Sequence, residues 1–272
     1  MKRSYFSGPY ALWMVLFTIC PMIFVLYYAF TNADGGFSVQ SILDCLEPTT
    51  IRVFLRSIKL AFICTVICLI LGYPAAQMLA SKDFSKYKML FVLFILPMWM
   101  NFLLRTYATM SLLERRGIIN TILEHFGMEP LTLIGTEGAV VFGMVYNYLP
   151  FMILPIHTAL KKMDTRVIEA AQDLGANPIR VFTRVILPLS IPGVISGITM
   201  VFMPAVTTFA ISRLLGSGNF MLLGDMIEKQ FLEMHDWSFG SALSMFMMAI
   251  IVLSIGLLNR IDPSKGERSG NW

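Results

Sequence analysis

The chain has 272 residues, of which 56% are hydrophobic and 14% are charged, and its mean hydropathy is +0.70. A soluble domain of this size carries about a quarter charged residues, so the composition excludes an ordinary soluble globular protein and favours a membrane protein. The formal net charge of +4 comes from basic residues dispersed over several loops, which argues against nucleic-acid binding.

Six apolar stretches are long enough to cross a membrane as helices. Crossing roughly 30 Å of hydrocarbon takes about 20 helical residues, and a helix satisfies its own backbone hydrogen bonds in lipid. The first stretch follows Met1-Lys2-Arg3, but its length and the lack of a small-x-small cleavage site indicate a retained helix rather than a signal peptide. We predict an all-α membrane protein with one transmembrane domain over 1–272. Its spans are about 9–30, 59–80, 89–110, 138–160, 189–210 and 240–258.

The distribution of basic residues predicts how these spans are oriented. If the N-terminus lies inside, the inner segments hold 13 of the 21 Lys and Arg residues and six of the 17 Asp and Glu residues. Basic residues are enriched in cytoplasmic loops of membrane proteins. Both termini and the charged loop at 161–188 are therefore predicted to be cytoplasmic.

The outer connections are then 31–58, 111–137 and 211–239, of which the last is unusual. Its run Leu222–Met234 is amphipathic, which predicts a short helix that lies at the outer interface or re-enters the bundle. In the second span, Cys64 and Cys68 stand one turn apart. No His or carboxylate lies near them in sequence, so we predict no metal site.

Several spans carry residues that favour bent or closely packed helices. Broken helices in membranes tend to line cavities, where freed carbonyl groups find partners. Gly193 and Gly197 form a GxxxG pair, which predicts close helix packing within the bundle. The expected interruptions near the middle of helices are at Pro97, Pro150, Pro155 and Pro204.

The loop at 161–188 separates the fourth and fifth spans and has the pattern of a helix-turn-helix. Asp164 can cap a first helix, and Gly175 fits the left-handed position that ends such a helix. Asn177 followed by Pro178 predicts the cap and first residue of the next helix. The result would be a short exposed helix set across the bundle axis.

A spaced motif runs through this loop: Glu-Ala-Ala at 169–171, three residues, Gly175, nine residues, then Val-Ile-Leu-Pro at 185–188. This motif resembles the EAA loop of ABC-importer permeases, although Val185 stands where that family usually has Ile. The resemblance implies that the loop docks onto a cytoplasmic ATPase. Alanine lets another protein approach closely, and two carboxylates four residues apart share one helix face. The implied coupling residues are Glu169, Ala170, Ala171, Asp173, Gly175, Leu187 and Pro188.

Other segments are similar to the PotB-type permeases of spermidine/putrescine ABC transporters. They are LGYPAA at 71–76, LPMWMNFLLRTYA at 96–108, VYNYLPFMILPIHTALKKMD at 145–164 and QFLEMHDWSFGSALS at 230–244. The resemblance implies the six-helix, MetI-like fold of type I ABC importer permeases in a bacterial cytoplasmic (inner) membrane. The implied partners are a related, PotC-like permease, two copies of a PotA-like ATPase that binds ATP and Mg, an extracytoplasmic PotD-like polyamine-binding protein and the lipid bilayer. The resemblance implies no cofactor in the chain itself.

The sequence also offers candidates for a cation pathway. The outer face is acidic and would concentrate polyamines, although solvation of the outer loops explains the same charges. Aromatic rings can hold ammonium groups, but packing or interface anchoring is the alternative for each ring. Arg105 would repel a polyamine, so it is expected to pair with an outer carboxylate or to snorkel. The candidate substrate-pathway residues are Trp99, Asn101, Tyr107, Tyr146, Tyr148 and Asp225.

No motif supports a catalytic role for the chain itself. It has no GxxxxGK[ST] phosphate loop and no HExxH pair, so we predict no ATP hydrolysis and no catalytic residues. The predicted function is that of a permease subunit of a polyamine ABC importer, which forms half of the pathway and works by alternating access. One alternative is an ABC permease for another solute, such as sulfate, thiamine or iron. The other is a stand-alone secondary transporter or channel, which would leave the EAA-like motif unexplained.

Overall fold

The computed structural model describes residues 10, 12–32, 36–81 and 88–261, and this part of the chain is almost entirely helical. The predicted orientation rests in part on charged residues at 1–9, 82–87 and 262–272, and the predicted acidic outer face includes Asp34. These residues lie outside the described part of the chain. The helices are α1 (Leu12–Ala29), α2 (Gln40–Asp44), α3 (Pro48–Ala80), α4 (Lys88–Trp99), α5 (Phe102–Leu113), α6 (Ile118–His125), α7 (Glu137–Lys162), α8 (Thr165–Asp173), α9 (Pro178–Thr207), α10 (Ala210–Leu215), α11 (Leu223–Lys229) and α12 (Trp237–Ile261).

Five helices in the described part of the chain, α1, α3, α7, α9 and α12, are long and apolar enough to cross a membrane. Two of them begin about ten residues earlier than predicted. Helix α3 has 33 residues and is therefore about 50 Å long, so part of it extends beyond the hydrocarbon. Near its start, Arg56 and Lys59 pair with Glu137 of α7 at 3.4 and 2.8 Å.

The predicted third span, 89–110, differs from the prediction because it is divided into α4 and α5. Each has 12 residues, so each is about 18 Å long and too short to cross the hydrocarbon alone. The division falls at Met100 and Asn101. The side-chain oxygen of Asn101 accepts hydrogen bonds from the amides of Leu103 and Leu104 at 2.8 and 3.4 Å. This N-cap starts a new helix where the apolar pattern alone predicted continuity.

Helices α3, α7 and α9 form the core of the bundle. The core side chains are apolar and buried, and Leu60, Met144, Met152, Ile156 and Val201 are among them. A second, smaller cluster joins α1, α11 and α12 to the N-terminal part of α3. The 161–188 loop therefore connects two of the three core helices, so a displacement of the loop is transmitted directly into the core.

Two glycines set how closely α9 approaches α7. A Cβ atom added at Gly193 would lie 2.8 Å from the carbonyl oxygen of Pro155, and one at Gly197 would lie 2.8 Å from the sulfur of Met152. Distances below 3.0 Å are not tolerated without a shift of the neighbouring atoms. The predicted packing role of the GxxxG pair is therefore confirmed.

The prolines do not end their helices where they were expected to. Helix α7 continues past both Pro150 and Pro155, so the prediction that they interrupt it is wrong. The breaks in the chain lie at 100–101 and 208–209, a few residues after Pro97 and Pro204. The second break ends α9 and separates it from α10 at the end of the bundle that carries α11.

The amphipathic run after residue 221 forms a helix, as predicted, and it packs into the bundle. Leu222 and Leu223 are fully buried, and the amide of Leu223 donates a 2.8 Å hydrogen bond to the hydroxyl of Ser57. A Cβ atom at Gly224 would lie 2.6 Å from the carbonyl oxygen of Thr208. Of the two predicted arrangements, the structure therefore favours re-entry into the bundle over a helix lying on its surface.

Candidate coupling loop and substrate pathway

Helix α8 has the ends that the sequence predicted. The Asp164 carboxylate accepts a hydrogen bond from the amide of Arg166 at 3.0 Å, which satisfies one of the free amides of the first turn. At the other end Gly175 has φ +79°. Its amide bonds to the carbonyl of Gln172, and the amide of Ala176 bonds to that of Ala171, which is the Schellman arrangement. The predicted cap and left-handed glycine are confirmed.

The second half of the loop is also built as predicted. The side-chain oxygen of Asn177 accepts a 2.8 Å hydrogen bond from the amide of Arg180, and Pro178 occupies the first turn of α9. A π-helical turn at Phe182–Ile186 follows before the helix regains α geometry at Leu187. The loop is therefore a rigid turn between two capped helices.

No residue of α8 is buried. Glu169, Ala170 and Asp173 are exposed, and Ala171 is partly covered. Leu187 and Pro188 are exposed as well, in the N-terminal half of α9. The structure thus brings Glu169 to Gly175 together on one short exposed element. Leu187 and Pro188 lie further along the chain in α9, directly after the π-helical turn.

Two apolar side chains flank the turn and project into solvent. Leu174 is 89% exposed and Ile179 is 73% exposed. Large apolar side chains at the tip of a polar loop indicate a surface that another protein covers. Both residues lie outside the predicted coupling set, although their positions on either side of Gly175 and Pro178 were a usable signal.

Tyr73 of α3 ties the start of α9 to the core. Its hydroxyl is hydrogen-bonded to that of Ser190 at 2.8 Å, and its ring meets Phe182 edge to face with centroids 5.7 Å apart. Tyr73 lies in the segment at 71–76 that is similar to PotB-type permeases, and no role was predicted for it. A tyrosine inside an apolar span was the available signal, because a buried phenol usually finds a polar partner.

An open cavity of about 330 Å³ separates α8 from the C-terminal end of α3. Its polar lining includes Gln77 and Ser81 from α3, and Glu169 and Gln172 from α8. Helix α8 therefore rests on the bundle only in part, which leaves it room to shift relative to α3.

The predicted pathway aromatics fall into two groups. Trp99 is 86% exposed at the end of α4, and Tyr107 and Tyr146 are about half exposed. Tyr148 is buried, and its hydroxyl donates a 3.3 Å hydrogen bond to the carbonyl oxygen of Pro204. The ring contacts found in the described part of the chain join none of these four residues. The structure therefore does not gather them into one closed site within this chain.

The two predicted amides also differ in what they offer a ligand. The oxygen of Asn101 is engaged by two backbone amides at the start of α5. Asn147 is fully buried, and its nitrogen donates to the carbonyl of Gly143 at 2.9 Å, while its oxygen has no hydrogen-bond partner among the described residues. Of the two, Asn147 retains the unused acceptor.

Asp225 joins α10 to α11. One carboxylate oxygen accepts the amide of Leu222 at 2.8 Å, and the other accepts the hydroxyl of Ser212 at 2.9 Å. Burial raises the pKa of this carboxyl group to about 6, against the opposing effect of these two hydrogen bonds. Asp225 thus caps a helix and fastens it to its neighbour, besides lining a groove of about 260 Å³.

The same groove contains an ion-pair network. Arg213 pairs with Glu228 at 3.0 Å and with Glu233 at 3.7 Å. Arg213 and Glu233 are largely solvent-exposed, and exposed pairs of this kind contribute about 0 to 1 kcal/mol each. The groove carries net negative charge.

Arg105 is not placed as predicted. The residue is 5% exposed, and its Nε and Nη1 atoms have no hydrogen-bond partner among the described residues. The ion pairs found in the described part of the chain do not include it. The expectation that Arg105 pairs with an outer carboxylate or snorkels to the interface is therefore wrong.

Comparison with known sequences gives a match over nearly the whole chain. The family model described as "Binding-protein-dependent transport system inner membrane component" matches residues 10–266. The spermidine/putrescine transport system permease protein PotB of Haemophilus influenzae is 39% identical over 259 residues, which cover 92% of this chain and 90% of that protein. The protein of the same name from Escherichia coli K12 is 36% identical over 251 residues, which cover 89% and 91% of the two chains.

Solved structures share the fold. A chain of a bacterial ABC transporter involved in the import of the acidic polysaccharide alginate gives a TM-score of 0.77 at 16% identity, covering 95% of this chain and 93% of that one. A chain of the inward-facing MetNI methionine ABC transporter gives a TM-score of 0.53 at 16% identity, covering 78% and 92%. At this identity the likeness concerns the fold alone. It confirms the predicted fold of ABC importer permeases.

Proposed function

The chain belongs to the family of binding-protein-dependent transport system inner membrane components, and from this membership we propose that it is a permease subunit of an ABC importer for polyamines. The observation that carries the substrate assignment is the 39% identity to a spermidine/putrescine permease over 92% of the chain. In the bacterial inner membrane the chain would form half of a translocation pathway. It would itself carry out no catalysis.

The proposed assembly contains this chain, a PotC-like second permease, two PotA-like ATPase subunits that bind ATP and Mg²⁺, and a PotD-like extracytoplasmic polyamine-binding protein. Both termini and the 161–188 loop would lie in the cytoplasm. Support for this orientation comes from the basic residues Lys161, Lys162, Arg166, Arg180 and Arg184 around the loop, because cytoplasmic loops are enriched in Lys and Arg.

Helix α8 would be the contact with the ATPase. It is exposed along its length, it carries small side chains at Ala170 and Ala171, and Leu174 and Ile179 project beside it. Apolar side chains of this kind would fill a pocket on the partner, while Glu169 and Asp173 would face basic groups there. The contact would therefore combine apolar burial with charge complementarity.

Movement of α8 would reach the membrane through the core. The turns at Gly175 and Asn177 are rigid, and Tyr73 fastens the start of α9 to α3 through Phe182 and Ser190. Closure of the ATPase dimer would displace α8 and rotate α7 and α9 together, which opens the pathway outward. Hydrolysis would restore the inward-facing state, which is alternating access by motion of packed helices.

The decisive experiment measures uptake by vesicles that contain the full complex. Labelled spermidine, putrescine and sulfate would be supplied with the binding protein outside and with ATP inside. We expect ATP-dependent uptake of a polyamine and none of sulfate. Uptake that continues without the ATPase subunits would contradict the importer assignment, and polyamine-independent uptake of another solute would contradict the substrate assignment.

A further inference from the structure

The start of α9 contains a turn with one residue more than α geometry allows. At Phe182–Ile186 the helix is π-helical, and the amide of Leu187 donates to the carbonyl of Phe182, five positions back. Turns of this kind are rare and occur mostly as single turns inside α-helices, frequently at functional sites. The turn lies between the capped loop and the rest of α9, so a displacement of the loop reaches α9 through it.

The sequence gives a reason why regular α geometry fails here. Pro188 has no amide to donate to the carbonyl of Arg184, four positions earlier, and its ring would clash with that carbonyl group in a regular α-helix. Prolines and π-helical turns are both known causes of bends in helices. The widened turn before Pro188 accommodates the proline without ending the helix.

The π-helical turn has little support from its own side chains. None of its residues is buried, and Thr183 and Arg184 are exposed. Ile186 lines the open cavity of about 330 Å³ between α8 and the C-terminal end of α3. Because the turn has free space beside it, it can absorb a movement of the loop by changing its hydrogen bonding instead of passing the movement on to α9.

Tyr73 of α3 contacts this turn at both ends. Its ring meets that of Phe182, the first residue of the turn, with centroids 5.7 Å apart. Its hydroxyl lies 2.8 Å from that of Ser190, which in turn donates to the carbonyl oxygen of Leu187 at 2.9 Å. Because the Ser190 proton goes to that carbonyl group, the Tyr73 hydroxyl donates to Ser190. One buried side chain of α3 thus holds the beginning of the turn and the carbonyl group directly after it.

We propose that Tyr73 is a positioning residue that braces the π-helical turn, so that movement of the 161–188 loop rotates α9 instead of being absorbed in the turn. The inference rests on the proposed coupling of α8 to the ATPase, and it names the side chain that sets how efficiently ATP hydrolysis is converted into transport. Without the brace, hydrolysis continues while α9 follows the loop less far. Such uncoupling differs from the loss of docking expected for a change on α8 itself.

The test compares uptake with ATP hydrolysis in liposomes that contain the full complex, with spermidine and the binding protein outside and ATP inside. Tyr73→Phe keeps the ring against Phe182 and removes only the hydroxyl. A hydrogen bond of this kind shifts an equilibrium between two arrangements by a factor of roughly 2 to 10. We expect the amount of spermidine imported per ATP hydrolysed to fall by that factor, with ATP hydrolysis undiminished and the apparent KM for spermidine unchanged.

A second variant and two matched controls sharpen this test. Ser190→Ala interrupts the same chain of hydrogen bonds and should reproduce the effect, and the double variant should be no worse than Ser190→Ala alone because both changes break one connection. Tyr27→Phe removes a hydroxyl from an exposed ring of α1. Ser196→Ala removes a hydroxyl that donates to the carbonyl of Pro192 within α9. Both controls should transport like the wild type.

Hydrogen exchange of the amides at 183–187 in the same complex reports on the turn directly and needs no transported solute. Exchange should be faster in Tyr73→Phe and unchanged in Ser196→Ala. Wild-type import per ATP in Tyr73→Phe, import and hydrolysis that fall together, or unchanged exchange would each overturn the proposal. Absence of both the Tyr73 and the Ser190 variants from the membrane would also overturn it, because the two residues would then support the fold as a whole. A wild-type complex that imports no spermidine contradicts the proposed function instead, and the exchange measurement still decides whether Tyr73 braces the turn.

Discussion

The 161–188 loop and the buried region around Tyr148 differ in how far along the chain their contacts reach. In the loop, the capping hydrogen bonds join residues two to five positions apart, as between Asp164 and Arg166 or between Ala171 and Ala176. Within the buried bundle, at Tyr148, at Tyr73 and at Ser57, single hydrogen bonds join residues 56, 117 and 166 positions apart. The loop is specified by local sequence, whereas the buried region exists only after α3, α7, α9 and α11 have packed.

This difference also separates the two kinds of function. A local motif can be presented to another protein without rearrangement of the bundle, which suits a docking element. A site made from distant segments changes when the helices move, which suits a pathway that must open and close. Each prediction below changes one region and asks whether the other is affected.

The largest effect is expected for Glu169→Lys. Reversing this exposed charge on α8 places repulsion against basic groups on the ATPase, so uptake should fall more than about tenfold while the chain is still inserted in the membrane. Uptake and co-purification of the ATPase are the two measurements. Glu124→Lys, the same charge change at an exposed position on α6, is the control. Normal uptake and normal co-purification in Glu169→Lys would show that α8 is not the contact with the ATPase.

The stability of the protein is expected to depend on pH through Asp225, which belongs to the part of the molecule held by long-range contacts. Burial raises its pKa in the folded protein to about 6 from the ordinary aspartate value of 3.8, so the folded state binds more protons than the unfolded state between these pH values. Stability should therefore fall as pH rises from about 4 to about 6 and then level off, by roughly 1 to 3 kcal/mol.

Asp225→Asn should lose this dependence and be at least as stable as the wild type at neutral pH, because the amide oxygen can accept from the Leu222 amide while the amide nitrogen donates to the Ser212 hydroxyl, which then donates to the carbonyl of Phe209. Thermal unfolding of the purified complex at a series of pH values measures the effect. Glu228→Gln is the control for the neighbouring ion pair. An Asp225→Asn variant with the wild-type pH profile would show that the carboxylate at 225 does not govern it.

A smaller effect is expected at Gly175, where the backbone has φ +79° and a Cβ atom would meet no other atom. A β-branched residue costs roughly 1 kcal/mol or more in this conformation, and Asn costs less. Gly175→Val should reduce ATPase association several-fold, and Gly175→Asn should be milder.

Gly127 makes a strict comparison because it has φ +75° and equally open surroundings in the connection after α6. Gly127→Val carries the same backbone strain on the opposite side of the predicted topology, so it should leave ATPase association unchanged. Equal behaviour of Gly175→Val and Gly175→Asn would count against the left-handed turn as the cause.

The smallest effect is expected for Trp99→Leu. Trp99 is 86% exposed in this chain, and a cation–π contact at an exposed site is worth about 0.5 to 1 kcal/mol. If Trp99 holds an ammonium group of the substrate, the apparent KM for spermidine should rise about two- to fivefold, with unchanged yield and basal ATPase activity. Leu103→Ala, which changes an exposed apolar residue nearby, is the control. An unaltered KM would leave Trp99 as a packing or lipid-facing residue.

Much of the loop could be predicted from sequence because its residue types act through their own backbone. Asp and Asn accept amide hydrogen bonds a few positions ahead, proline fixes a first helical residue, and glycine permits positive φ. Those requirements hold wherever the segment is placed. The spans at α1, α3, α7, α9 and α12 were predictable for a similar reason, since length and hydropathy alone decide whether a helix can cross lipid.

The pathway residues were harder because aromatic and amide side chains fit several environments. Tyr146 and Tyr148 are two residues apart, and the first is half exposed while the second is buried against Pro204. Hydropathy could not distinguish them. The same limit applies to the third predicted span. Its apolar stretch predicted one continuous helix, whereas the cap formed by Asn101 divides it into two.

The sequence by itself therefore determined the membrane class, five of the long helices and the geometry of the turn at Gly175. Only the tertiary structure decided that Tyr73 anchors the start of α9, that α11 re-enters the bundle beside Ser57, and that Arg105 is buried with its Nε and Nη1 atoms bonded to no described residue. The physical reason is the range of the interactions. Helix propensity, capping and transfer into lipid depend on neighbouring residues, whereas the partner of a buried polar group depends on which distant helix packs against it.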